Sequence, residues 1–260
     1  LPGEYNKRGM DKKLKVKSIL VTQPKPESDK SPFFELAKKY NLKIDFRPFI
    51  HVEGIPAKEF RKEKLNPMDF TAVIFTSRNS IDHYFRVCEE LRIEVSSEMK
   101  YYCITEAVAL YMQKYVQYRK RKVFIGKQTT AELIELLKKH KDEKYFYPCT
   151  DVHTDEIPVF MRSSGFNFSE AVIYRTVCSD LSDLAEVNYD MIAFFSPSGI
   201  KSLFKNFPDF KQNNTRIATF GPTTAKAVID AGLNIDVQAP SPQAPSMTMA
   251  IEEYVKTANK

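Results

Sequence analysis

The sequence predicts two α/β domains, each built on a parallel sheet with helices on both faces. Three observations carry the prediction. Short runs rich in β-branched and aromatic residues alternate with helical patterns along nearly the whole chain, as expected where helices cover a parallel sheet. A strand–turn–helix segment recurs: Phe75-Thr76-Ser77-Arg78-Asn79-Ser80-Ile81 is matched by Phe194-Phe195-Ser196-Pro197-Ser198-Gly199-Ile200, 119 residues on. Ile104-Thr105-Glu106-Ala107-Val108-Ala109 is likewise matched by Phe220-Gly221-Pro222-Thr223-Thr224-Ala225, 116 residues on. The 260 residues then suffice for two domains of roughly 130 each.

The elements follow in order. Ser18–Thr22 reads as the first strand. Ser31 and Pro32 supply an N-cap and a first-turn proline for a helix to Tyr40, which Asn41 closes. Lys43–Phe49 is the next strand. Gly54 and Pro56 then break the pattern, so residues 51–56 read as a linker. Ala72–Thr76 is a buried strand followed by a helix after Ser77. Tyr101–Ile104 precedes a helix over Glu106–Tyr115, and Lys122–Ile125 precedes a helix that Thr129 and Glu132 open as a capping box and that ends near His140. Tyr145–Tyr147 is a strand, Asp155–Ser164 a helix stopped by Gly165, and Phe168–Val177 a long extended run. In the last third, strands at Met191–Phe195 and Arg216–Phe220 feed helices opened by Pro197 and Pro222, the second ending at Gly232. Ile235–Gln238 is the final strand, residues 239–246 are a proline-rich loop, and a helix runs from Met247 to Lys256.

Composition sets further bounds. With 43% hydrophobic and 28% charged residues the chain is an ordinary globular one. No window approaches the ~20 apolar residues of a membrane span. The lysine-rich start, Leu1–Lys17, lacks the apolar core of a signal peptide, and the segment before Met10 is set aside from the fold. Cys88, Cys103, Cys149 and Cys178 form no CxxC pair and read as buried free thiols of a cytoplasmic protein. The four histidines show no metal-ligand spacing. The net charge of +6 suits a nucleic acid, an anionic surface or a polyanionic small molecule. The dense basic run Arg119–Lys122 reads as a solvated turn, and no stacking aromatics are interleaved along a basic strand, which argues against nucleic acid.

Ligands of open parallel sheets bind beyond the carboxyl ends of the strands. In this chain those ends are Thr22-Gln23, Thr76-Ser77-Arg78, Cys149-Thr150, Ser196-Pro197-Ser198-Gly199 and Gly221-Pro222-Thr223-Thr224. Where a helix begins at such an end, its free N–H groups and dipole favour carboxylates or phosphates. Simple N-capping is the competing reading of each position taken alone. There is no P-loop, GxGxxG, GxSxG or paired-carboxylate motif, so an enzyme of this kind works mainly by holding and orienting a polyanion.

Several of these segments together resemble the uroporphyrinogen-III synthase family. Ala193–Ile200 (AFFSPSGI) resembles its FFSPSG strand-turn, and Phe220–Ala227 (FGPTTAKA), continued by Ala231-Gly232-Leu233, its GPTTA helix start. Ser241–Ala244 (SPQA), Ile74–Ser77 (IFTS), Tyr147-Pro148-Cys149 and Val172–Thr176 (VIYRT) resemble further family segments in the same order. The resemblance implies two HemD-like, flavodoxin-like domains joined by a two-stranded hinge. Residues 12–49 and 179–260 would form the first domain, 56–170 the second, and 50–55 with 171–178 the hinge strands. It implies a monomeric, cofactor-free enzyme that takes hydroxymethylbilane, removes its hydroxyl and closes it to uroporphyrinogen III with one pyrrole ring inverted. Tyr174 would be the catalytic acid. Thr22, Gln23, Thr76, Ser77, Arg78, Cys149, Thr150, Ser196, Ser198, Gly199, Gly221, Thr223 and Thr224 would bind the substrate, whose eight carboxylates suit the basic chain. Neither nucleic acid, membrane nor metal is implied.

The sequence departs from the family pattern at Thr105 and Thr150, where Gly is usual, at Val108 for Thr, at Thr154 for a base, and at Gln23, where many bacterial members carry Arg. These departures keep open a family member that retains the fold as a binding or assembly protein.

Overall fold

The structure, a computed structural model, describes residues 14–152 and 155–260. The expected domain start at residue 12 and the departure at Thr154 lie outside the described residues. The chain divides into two compact units: the residues up to 51 together with 177–260, and residues 52–176.

Among the described residues the first unit holds a five-stranded sheet of β1 (Ser18–Val21), β2 (Lys43–Phe46), β9 (Met191–Phe194), β10 (Arg216–Phe220) and β11 (Val237–Ala239). Its order is β11-β10-β9-β1-β2, with every pair parallel. The central strands β1, β9 and β10 are buried on both faces because side chains alternate between two cores. Ile19, Val21, Met191 and Ala193 meet Leu36 of α1 (Pro32–Tyr40) and Ile251 and Val255 of α9 (Met247–Ala258). Leu20, Ile192 and Phe194 meet Ile200 and Leu203 of α7 (Pro197–Asn206) and Val228 of α8 (Pro222–Asp230).

The second unit is built on β4 (Ala72–Phe75), β5 (Lys100–Cys103), β6 (Val123–Ile125), β7 (Lys144–Thr150) and β8 (Asn167–Cys178), with β3 (Ile50–Gly54) at the edge beside β8. Val73, Phe75 and Tyr101 face α3 (Arg78–Glu90) and α4 (Glu106–Tyr111), whereas Ala72, Ile74 and Tyr102 face α5 (Thr130–Leu137) and α6 (Glu156–Ser163). Its order β6-β5-β4-β7-β8 is the order of the first unit with β4, β5 and β6 in the places of β9, β10 and β11, and β7 and β8 in those of β1 and β2. Both units therefore have the flavodoxin-like strand order, and the second has it circularly permuted. The sequence repeat falls on equivalent junctions: Ser77 and Ser196 have nearly the same backbone, φ −157°, ψ 162° and φ −153°, ψ 156°.

The α/β class with parallel sheets is as the sequence predicts, but several elements differ. The stretch that the local pattern marks as a linker, and the family resemblance as a strand over 50–55, is the strand β3; four of its five residues are exposed, so no apolar period marks it. The short helix α2 (Ala57–Phe60) follows where no helix is expected. The strand from Lys43 stops at Phe46, although Phe49 still reaches the core. The helix from Glu106 ends at Tyr111 and tightens into a 3₁₀ turn over Met112–Lys114. Ahead of β1, Val16 is fully buried and exchanges two hydrogen bonds with the Asn259 side chain, 2.7 and 2.8 Å. Of the cysteines, Cys178 is half-exposed rather than buried. No helix of the described residues is long and apolar enough to cross a membrane.

Phe75 is fully buried between the rings of Tyr84 and Tyr101, at 5.5 and 5.9 Å. Phe75→Ala is expected to cost about 3–5 kcal/mol, the range for truncating a buried Phe. Urea unfolding checks this, and an unchanged midpoint would contradict the packing described.

Candidate active site

In each unit the strand order reverses direction at one place, between β1 and β9 and between β4 and β7. Such a switch point opens a crevice beyond the carboxyl ends of the strands. In the first unit this edge carries Thr22, Ser196 and Gly199. Thr22 is buried, and its N–H and hydroxyl both donate to Ala193 O, at 3.2 and 2.8 Å. Gly199 is buried as well; a Cβ there would lie 3.2 Å from the Phe194 ring. Ser196 and Ser198 are part-exposed, and Ser196 makes no side-chain cap bond to α7, so that helix start keeps unsatisfied N–H groups. At the next strand Gly221 caps α8 with Thr223 exposed and Thr224 fully buried, and Gln23 is exposed beyond β1. Thr22, Gly199 and Thr224 thus shape the edge from beneath, while Gln23, Ser196, Ser198, Gly221 and Thr223 face outward.

The second unit gathers a denser set. A β-bulge interrupts the β7–β8 pairing: Cys149 pairs with Val172, but Thr150 pairs with Tyr174. Ile173 is the extra residue. Val172 packs toward the α5–α6 side, whereas both Ile173 and Tyr174 lie in the α3–α4 core. The bulge thereby turns Tyr174 to the side of the sheet where α3 begins. There the Tyr174 hydroxyl lies 3.2 Å from Ser77 Oγ. Ser77 Oγ also accepts the Ser80 N–H at 3.0 Å; either hydroxyl of the Ser77–Tyr174 pair can donate, and the Ser77 hydrogen is available to do so. With Ser77 as donor the phenol keeps its proton for another acceptor. Burial raises the Tyr174 hydroxyl above the ordinary phenol range, and the Ser77 bond works against that rise.

The neighbours complete the site. The His83 ring stacks on Tyr174, centroids 5.2 Å apart and planes at 20°. Burial pushes the neighbouring Tyr147 hydroxyl up to about 12, and Thr76 beside it acts in the opposite direction. Cys149 is buried, its thiol pushed up to about 12 by burial and placed 3.4 Å from Ala171 O. Thr150 Oγ1 donates to Asp151 at 3.0 Å, and the same carboxylate oxygen accepts the Thr176 N–H at 3.0 Å. Burial works to raise the Asp151 carboxyl, but the hydrogen bonds outweigh it and hold the group below its ordinary range. Arg78 is exposed at the first turn of α3, its guanidinium over the Tyr111 ring at 5.4 Å. No group of His, Cys, Asp and Glu among the described residues is arranged to hold a metal ion. Two depressions lie at the opposite, amino ends of the strands: one of about 510 Å³ lined by Met99, Tyr101 and Met112, the other of about 910 Å³ lined by Lys17, Asp190 and Arg216. Neither includes a residue of the carboxyl-end rows.

The family profile of uroporphyrinogen-III synthase HemD matches residues 31–249. This chain belongs to the uroporphyrinogen-III synthase HemD family. A uroporphyrinogen-III synthase of Saccharomyces cerevisiae is 32% identical over 120 residues, which cover 40% of this chain and 43% of the yeast protein. Two solved structures share the fold. A uroporphyrinogen-III synthetase of Helicobacter pylori has a TM-score of 0.60 at 18% identity, and a mutant uroporphyrinogen III synthase of Thermus thermophilus has 0.58 at 13%. Each comparison covers 93% of this chain and 99% of the other.

The departures from the uroporphyrinogen-III synthase pattern are accommodated locally. Thr105 has φ −137°, an extended backbone open to any residue, and its hydroxyl caps α4 by accepting the Val108 N–H at 3.2 Å. At the repeated position Gly221 has φ +88°, ψ 156°, a region essentially restricted to glycine. Thr150 serves the bulge through Asp151. Sequence reasoning missed His83, Arg86, Tyr147 and Asp151. The spacing of His83, Arg86 and Glu90 on one face of α3, just after the Ser77 cap, is the signal that points to two of them.

Two outcomes are expected. Gly221→Thr, which copies Thr105, should destabilise by roughly 1–3 kcal/mol, whereas Thr105→Gly should cost less, as read by chemical denaturation of both variants. Ser77→Ala should raise the Tyr174 pKa further, because it removes the one bond that opposes the effect of burial. A ¹³C-tyrosine NMR titration reads this, and an unmoved Tyr174 midpoint would show that Ser77 does not donate to the phenol.

Proposed function

We propose that this chain is an active uroporphyrinogen-III synthase, closing hydroxymethylbilane to uroporphyrinogen III with loss of water and inversion of one ring. Membership of the family supports the reading, and the observation that carries it is Tyr174: a buried phenol of β8, oriented by Ser77 and His83, beside the carboxyl end of the switch-point strand β7. In the proposed reaction the Tyr174 proton goes to the departing hydroxyl, which leaves as water. The resulting electron-poor methylene carbon is attacked by the substituted carbon of the terminal ring to give a spiro centre. The bond from that carbon to its own bridging methylene then breaks, the freed methylene bonds to the ring's unsubstituted carbon, and the proton which that carbon loses returns to the Tyr174 phenolate. A high phenol pKa suits this role, since the group stays protonated at neutral pH until the leaving oxygen takes the proton.

The substrate-binding part of the reading rests on the helix starts. The α7 and α8 starts at Ser196 and Gly221 and the α3 start at Ser77 suit carboxylates through N–H groups and the helix dipole. Arg78 adds an exposed cation. Thr105 and Thr150 keep ordered turns where the family has Gly, which favours an enzyme over a binding protein that has lost activity. The enzyme would act as a monomer in the cytoplasm, in line with four cysteines that form no disulfide. It would need no cofactor, because the bilane carries its own leaving group and nucleophile.

The deciding measurement is the isomer ratio of the product made with a bilane-producing enzyme upstream. The chain should give the type III isomer, and type I alone would overturn the assignment. Tyr174→Phe should lower kcat on the order of a hundredfold, the lower end of what general acid catalysis contributes, with KM little changed.

A further inference from the structure

We propose that His83, locked by Arg86, is a positioning residue for Tyr174 and makes the site acid-sensitive. The inference rests on the reading of Tyr174 as the acid. Arg86 Nε donates to His83 Nδ1 at 3.0 Å, so the neutral ring carries its proton on Nε2. The same guanidinium holds the bulge: Arg86 Nη2 donates to Ile55 O at 2.8 Å and to Ile173 O at 3.1 Å. Ile173 is the extra residue of the bulge and directly precedes Tyr174. One side chain therefore fixes the backbone that aims the tyrosine and the ring that stacks on it.

The fit around Arg86 is close. A Cβ on Gly54 would lie 2.8 Å from three guanidinium atoms, so only glycine on β3 leaves room for the side chain. Arg86 Nη1 is anchored by Glu90 at 3.0 Å, and Glu90 also accepts the Ala57 N–H at 2.9 Å.

Protonation breaks this arrangement. An imidazolium has hydrogens on both nitrogens, and Nδ1 then faces the Arg86 N–H with no lone pair to offer. The ring and the guanidinium would be two cations in contact, and the ring must move off the tyrosine. The groups that act on His83 are Arg86, Asp82 and Glu90 on its own helix and Tyr174 on β8; Gly54 and Ile55 bring only backbone. Burial and then the Arg86 charge pull the imidazole below its ordinary value, against the weaker pull of Asp82 and Glu90. The lock is therefore intact at neutral pH and opens on acidification below the usual histidine range.

The test uses the whole protein with His83→Phe, which keeps a ring but has no Nδ1, and His83→Ala. The wild type should lose kcat for type III product as pH falls below 6.5. In His83→Phe that acid limb should vanish. His83→Ala should lower kcat at pH 8 on the order of tenfold, less than the hundredfold that a 1 Å misplacement can cost, with KM within about twofold. An acid limb that persists unchanged in His83→Phe overturns the proposal. A second readout does not depend on turnover: the Tyr174 ¹³Cζ resonance should follow a titration with a midpoint below 6.5 in the wild type and not in His83→Phe. If the wild type makes no type III product, the functional reading fails and this resonance still decides whether His83 and Tyr174 are coupled.

Discussion

The candidate site depends on a single irregularity, the bulge opposite Cys149 and Thr150. Side chains of a strand alternate between faces, so an unbroken ladder would send Tyr174 to the face opposite Ile173, toward α5 and α6. One extra residue reverses that parity. The phenol then meets Ser77, at the start of α3, and His83, one and a half turns further along it. Bulges cost ladder hydrogen bonds, and here the loss is offset from two sides. Arg86 and the Ile55 N–H take the Ile173 carbonyl, while Asp151 takes the Thr176 N–H. Arg86 thus both holds the bulge and fixes the ring that stacks on the tyrosine.

The two units show how one fold tolerates different chemistry at equivalent places. Their strand orders are the same apart from circular permutation, and Ser77 and Ser196 share a backbone conformation. Ser77 closes a reciprocal capping box with Ser80, which rigidifies the start of α3 where the Tyr174 hydroxyl of β8 is met. Ser196 makes no such bond, and Pro197 at the first helical position has no N–H to cap.

The sequence by itself determined the class of fold and the rows of candidate residues. Both follow from local rules: period-2 and period-3.6 burial, capping residues, prolines at helix starts, and a repeat of about half the chain length. Those rules identified Ser77, Ser196 and Gly221 as helix starts, and a family resemblance singled out Tyr174. Local rules failed where burial gave no pattern. The exposed strand β3 reads as a linker for that reason, and Val16 sits in a lysine-rich stretch that its one buried side chain does not betray.

Only the tertiary structure decided which of the candidates face outward and what surrounds the tyrosine. Thr22, Cys149, Gly199 and Thr224 are indistinguishable from their neighbours as letters, yet they are buried beneath the edge. His83 and Tyr174 are 91 residues apart, and the residue that ties them, Arg86, also bonds carbonyls of Ile55 and Ile173. Such a meeting depends on strand parity, and parity changes with one inserted residue that propensity cannot detect. A bulge has no composition of its own; it exists only in the register between two strands that fold together.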